Sequence, residues 1–155
     1  MVQSLLELSW LILRGIHLVR DVVFVAIGGT LGALARYGVG LLSAHWLGKS
    51  FPWGTLLVNV AGCFAMGIVL QIMAGLESRP PETLTGGMRT QLAFWHKAVS
   101  IGFLGGLTTF SSFGGDTLRT LQAGQPLVAL TNVAANVILS LAAVWCGIAL
   151  ISSID

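Results

Sequence analysis

An all-α membrane protein of four transmembrane helices, the third of them broken, is the fold this sequence predicts, and three observations predict it. Hydrophobic residues make up 55% of the chain and charged ones only 9%, with a mean hydropathy of +0.87, a balance foreign to a soluble domain with a charged coat. Four apolar segments of membrane length, joined by polar turns and one polar connector, account for nearly all of the 155 residues. The third segment contains Gly102-Phe-Leu-Gly-Gly-Leu-Thr-Thr-Phe-Ser-Ser-Phe113, in which two adjacent glycines weaken a helix and four hydroxyls compete for its backbone groups. A break at that depth frees carbonyls and amides that must face protein or water, which is how channels and transporters hold ions. Close approach of two helices through the same small residues is the alternative reading of the stretch.

Residues 1–21 place Leu5, Leu6, Leu8, Ile12, Leu13, Ile16 and Val19 on one side of a helix and Glu7, Arg14, His17 and Asp21 on the other, the pattern of an amphipathic interfacial segment. The start has no basic n-region and no small-x-small cleavage site before the next apolar run, which argues against a signal peptide. The transmembrane domain takes in 22–155. Its first span, 22–46, holds Gly28 and Gly32 in a GxxxG face for close packing; their spacing fits neither the dinucleotide fingerprint nor the phosphate-binding loop. Arg36 lies roughly 22 Å along this span from Asp21 at a helical rise. It either snorkels outward or anchors the protein and supplies positive potential at a pore entrance.

Lys49, Ser50 and Pro52 form a turn, so the second span, 53–74, runs antiparallel to the first, with Trp46 and Trp53 marking one interface. Asn59 sits inside this span with no partner nearby in sequence. Buried amides in membranes either join helices or line a polar path, and joining is the simpler reading of the residue alone. Residues 75–97, with Glu77, Arg79, Pro80, Pro81, Glu82, Arg89 and Lys97, form a polar connector that cannot span. The third span runs over 98–121, where Asp116 and Arg119 approach the opposite surface, and 122–125 make the next turn. The fourth, 126–151, displays Asn132, Asn136 and Ser140 at i, i+4 and i+8, a polar stripe on one helical face.

Four spans put both termini on one side. That side holds Arg14, Arg20, Arg79, Arg89 and Lys97, and the other holds Arg36, Lys49 and Arg119, a bias too weak to fix orientation, so the chain is able to insert both ways. A net charge of +2 with scattered basic residues gives no footprint for nucleic acid. Cys63 and Cys146 lie in apolar runs without CxxC spacing, and His17, His45 and His96 show no ligand or catalytic spacing.

With these pieces placed, residues 22–150 resemble the small four-helix fluoride channels of the Fluc/CrcB family. The resemblance rests on Gly28-Gly-x-x-Gly-Ala-x-x-Arg36-Tyr37, Gly54-Thr-Leu-x-Val-Asn59-x-x-Gly62 and the Gly102 to Phe113 motif, in that order. It implies passive fluoride export through a multi-pass protein of the cell's inner (plasma) membrane. It also implies a dual-topology antiparallel homodimer with two pores and a structural sodium ion (Na+) at its centre. Phe110 and Phe113 correspond to the family's pore phenylalanines and Asn59 to its pore asparagine. Asn132, Asn136 and Ser140 correspond to its polar track, Ser112 joins the pore hydroxyls, and Gly105 and Thr108 supply the backbone carbonyls for sodium. In an antiparallel pair those carbonyls converge on one point, with no positive side chain expected at that depth to relieve them. Two departures are Gly114-Gly115-Asp116, in place of a bulkier, usually Glu-containing sequence, and the longer start, 1–21.

The chemistry agrees with this role. Fluoride holds its water tightly, and a pore must replace that shell with many weak donors while avoiding a fixed cation. Amide N–H groups, hydroxyls and the electropositive edges of phenylalanine rings can do so. Two other classes compete: a four-helix proton-coupled multidrug exporter, which needs a membrane-embedded carboxylate the spans lack, and a structural membrane subunit whose polar residues only join helices. No nucleophile, base and orienting group converge, so an enzyme is not expected.

Overall fold

The computed structural model describes residues 2–78 and 85–154. Within them every regular element is a helix: α1 Val2–Trp46, α2 Trp53–Glu77, α3 Gly86–His96, α4 Phe110–Gln122 and α5 Pro126–Ser152. Between α3 and α4 the helix continues as a widened π-helical segment, Lys97–Leu104, and one last α turn, Gly105–Leu107. Three helical stretches are long and apolar enough to cross a membrane, Gly15–Trp46, Trp53–Glu77 and Pro126–Ser152. The third span is cut by its break, and the half after it, Phe110–Gln122, has only 13 residues.

Helix ends fall where backbone chemistry puts them. Gly124 adopts φ 73° and closes α4 in a Schellman motif: its N–H donates to the Leu121 carbonyl and that of Gln125 to Thr120. Pro126 then opens α5 at a position where its missing N–H costs nothing. The predicted turn after the first span contains Gly48 at φ 80°, one residue ahead of the Lys49, Ser50 and Pro52 signal.

Packing is by small residues. A Cβ on Gly32 would run into the Phe103 carbonyl, and one on Gly106 into that of Gly29, so α1 and the widened segment touch backbone to backbone. The predicted GxxxG face of Gly28 and Gly32 is used as read. The glycines of the 102–113 motif are not used as first read. Gly105 and Gly106 stay helical, and the chain breaks one turn later, where Thr108 and Thr109 are extended at φ −78°, ψ 155° and φ −154°, ψ 115°. Close approach by the glycines and a break at the hydroxyl pair thus coexist in one motif.

The connector also differs from its sequence reading. Residues 79–84, with Arg79, Pro80, Pro81 and Glu82, lie outside the described residues, but Gly86–His96 is a helix. It docks on α1 by Phe94, which meets Phe24 edge-on at 4.5 Å between centroids and lies under the Arg20 guanidinium at 4.7 Å. Lys97 Nζ donates to Asp21 Oδ2 at 2.7 Å, which places the starts of the first and third spans at one level. α1 runs without interruption through 21 and 22. The amphipathic reading of 1–21 rests largely on side chains of 1–14, outside the described ones.

Candidate functional site

The break at Thr108 and Thr109 is held open by side chains from two other helices. Asn59 on α2 spans it as a strand would: its Oδ1 accepts from Thr109 N–H at 2.8 Å and its Nδ2 donates to the Thr109 carbonyl at 3.3 Å. The first bond diverts the N–H that would have capped the Gly105 carbonyl four residues back, leaving that oxygen without a donor among the described residues. Thr109 also starts α4. Its Oγ1 accepts from Ser112 N–H at 3.1 Å, an N-cap, donates to the Ser112 hydroxyl at 3.1 Å and lies within hydrogen-bond distance of the Ser111 hydroxyl at 3.2 Å.

Arg36 reaches the break from α1 and donates through Nη1 to the Thr108 carbonyl at 3.3 Å. Its side chain thus turns inward to the break. This corrects the expectation that no positive side chain is available at that depth. Gly62 on α2 leaves room for the bend, since a Cβ there would strike the Thr108 methyl.

The polar stripe on α5 joins the same cluster. Asn59 Nδ2 donates to Asn136 Oδ1 at 2.9 Å, and Asn136 Nδ2 donates to the Asn132 backbone carbonyl at 3.1 Å and Asn132 Oδ1 at 2.9 Å. Asn132 Nδ2 then donates to Thr117 Oγ1 at 2.8 Å, and Thr117 donates to the Phe113 carbonyl at 2.8 Å. Both N–H groups of Asn59 and both of Asn136 are committed inside the protein.

Two cavities meet at this network. The smaller, about 340 Å³, is lined by Asn59, Asn136, Ser140, Phe110, Phe113, Gly105, Thr108 and Thr109 together with the apolar Met66, Leu104 and Val137, with no charged side chain in its wall. The rings of Phe110 and Phe113 lie 5.4 Å apart at 55°, and Phe110 is 83% exposed on the single chain, so the cavity opens beside its face. The larger, about 820 Å³, is polar and charged, with Arg36, Lys49, Ser112, Asp116 and Arg119 in its wall. Asp116, expected near the surface, hydrogen-bonds Thr55 through Oδ2 at 2.6 Å and pairs with Arg119 through Oδ1 at 2.6 Å. Thr109 borders both cavities.

The structure therefore gathers Asn59, Asn136, Ser140, Phe110 and Phe113 about one space. It places Ser112 and Arg36 on the other and buries Asn132 completely, at 0% exposure, behind the first. Thr109 and Thr117 were missed. The signal for Thr109 was legible, a hydroxyl three residues ahead of the N–H it caps, but Thr117 lies outside the motif. The proposed sodium ligands fit in part. The Gly105 carbonyl is free to face a cation, while that of Thr108 shares its oxygen with a guanidinium. No cluster of His, Cys, Asp or Glu able to hold a metal occurs among the described residues.

A family model described as CrcB-like protein, Camphor Resistance (CrcB), matches residues 23–148. The chain belongs to the CrcB family. Among CrcB relatives, a protein of Shewanella amazonensis named fluoride-specific ion channel FluC is 41% identical over 133 residues, covering 86% of this chain and 97% of the relative. Proteins of the same name from a Geobacter species and from Vibrio vulnificus are 41% identical over 128 and 130 residues, covering 83% and 84% of this chain and 94% of each relative. The CrcB match and the apolar helices together make this a multi-pass membrane protein.

Proposed function

We propose that this CrcB protein is a fluoride-specific ion channel of the cell's inner (plasma) membrane that lets fluoride leave passively and so lowers cytoplasmic fluoride. The observation that carries the reading is the smaller cavity, whose wall combines amides, hydroxyls and two phenylalanines without a fixed charge. Such a lining can exchange for the water shell of a small anion without holding it too tightly. The arginines and lysine in the neighbouring cavity concentrate anions before that step. The relatives' name points to the same ion. Asn59, Asn136, Ser140, Phe110 and Phe113 form the fluoride path in this reading, with Ser112 at its approach and Asn132 behind it.

Purified protein in liposomes is expected to release fluoride, with little chloride, as followed by ion-selective electrodes. Phe110→Ile and Phe113→Ile keep bulk but lose the electropositive ring edge, worth about 0.5–1.5 kcal/mol, so each is expected to slow fluoride about two- to tenfold. Equal fluoride and chloride rates in the unaltered protein would remove the reading.

The path is completed, in this proposal, by a second copy in the opposite orientation. The exposed Phe110 and the weak charge bias support that arrangement. With Cys63 and Cys146 replaced by Ala, Ser50→Cys is expected to react with an impermeant thiol reagent from each side in comparable fractions. Labelling from one side only excludes dual topology.

A structural sodium ion at the centre of that pair is supported by the free Gly105 carbonyl, a hard oxygen ligand suited to it. When bound it neutralises converging carbonyl dipoles; Arg36 does the same for the second lone pair of Thr108. Replacing sodium with a large organic cation is expected to lower both fluoride flux and thermal stability. Both remaining unchanged, once elemental analysis confirms that the ion has gone, removes the proposal.

A further inference from the structure

We infer that Thr117 is a positioning residue for the anion path, acting as the terminal acceptor that locks three asparagine amides into one orientation. The inference rests on the channel reading above and adds to it a residue outside every motif that carries the family resemblance.

The hydrogen-bond chain has a direction, and both of its ends impose it. At the break, Thr109 N–H can only donate, so Asn59 must present Oδ1 to it and turn Nδ2 toward Asn136 Oδ1. Asn136 is then left to donate through Nδ2 to Asn132 Oδ1, and Asn132 must turn its own Nδ2 away from Asn136. At the far end, Thr117 has a single hydroxyl proton and gives it to the Phe113 carbonyl at 2.8 Å. Its oxygen is therefore free to accept, and it accepts from Asn132 Nδ2 at 2.8 Å. Asn132 is wholly buried and Asn136 is 5% exposed, so water does not readily replace a missing partner along the chain.

Removing the Thr117 acceptor strands the Asn132 amide. The amide is then held from one side only: turning over would set its Nδ2 against Asn136 Nδ2, which Asn59 still orients from the break, so Asn132 keeps a stranded donor and a looser grip on Asn136. Asn136 borders the smaller cavity, so the groups offered to an anion there are held less firmly. Thr117 reaches the path only through Asn132, and Phe113, whose carbonyl it also holds, is the second wall of that cavity.

The test is fluoride efflux from liposomes containing the full-length protein, compared at several fluoride concentrations for the unaltered chain, Thr117→Val and Thr117→Ser. Losing one buried acceptor, at about 1–3 kcal/mol, corresponds to a fall in flux of about five- to a hundredfold for Val. Ser keeps the hydroxyl and is expected to restore flux to near the unaltered rate, which a purely space-filling role for Thr117 would not produce. Oligomeric state and thermal midpoint report assembly. Should Val fail to assemble, Thr117→Cys keeps the volume with only a weak hydrogen-bonding group and is expected to slow fluoride as well. Unaltered flux in an assembled Val or Cys variant, with Asn136→Leu impaired, overturns the role of Thr117 and leaves the channel reading standing. Absence of fluoride flux from the unaltered protein overturns both.

Discussion

Asn59→Leu is expected to abolish fluoride flux and to lower thermal stability more than any other single change in the polar network. The substitution removes both bonds that span the break, stranding Thr109 N–H and its carbonyl, and it takes the donor from Asn136 Oδ1. Buried groups left unsatisfied cost about 1–3 kcal/mol each, and Thr109 is only 7% exposed. Asn59→Asp separates holding from conducting. A carboxylate still accepts from Thr109 N–H, so the break is kept, but it offers no donor to Asn136 and repels an approaching anion. Asp is therefore expected to be the more stable of the two and equally silent in efflux. Flux from Asn59→Leu close to that of the unaltered protein would separate the break from conduction.

Arg36→Leu is expected to reduce flux about ten- to a hundredfold, since hydrogen bonds to charged groups contribute about 1.5–3 kcal/mol and each 1.4 kcal/mol is a factor of ten. The loss has two parts, the cap on the Thr108 carbonyl and the positive potential of the larger cavity. Arg36→Lys keeps the charge but not the forked reach. It is expected to recover rate at low ionic strength more than at high, where screening shortens the range of the potential. Efflux measured at two salt concentrations checks this. A Lys variant as slow as Leu at both would assign the whole effect to the cap.

Much of the fold is written in local patterns. Apolar runs, the GxxxG face and the Gly124 to Pro126 turn each work over a few residues, and each was legible. The third span was legible as broken but not where, because Gly105 and Gly106 carry the usual signal for a weak helix while the structure uses Gly106 for contact with Gly29. The helix Gly86–His96 was hidden by its charges and by the absence of any cue that Phe94 would find Phe24, seventy residues earlier. For the site, the candidates on α2, α4 and α5 were legible as residues and not as partners. Asn59 reads as either a joining group or a path residue. In the structure it joins the break to α5 and lines the cavity, through bonds to residues 50 and 77 positions away. Arg36 and Thr108, 72 positions apart, meet only because Gly32 lets α1 lie against the turn before the break.

The length of α1 has a consequence at the level of the whole membrane. Forty-five helical residues extend roughly 68 Å, more than twice a hydrocarbon core of about 30 Å, and the family match begins only at residue 23. In the antiparallel pair proposed here, one copy projects this rod into the cytoplasm and the other projects it outside. Each face of the pair then carries the same rod, and the side on which a given rod stands reports the orientation of that one chain. A protease added to intact cells is expected to shorten half of the chains and spare the rest.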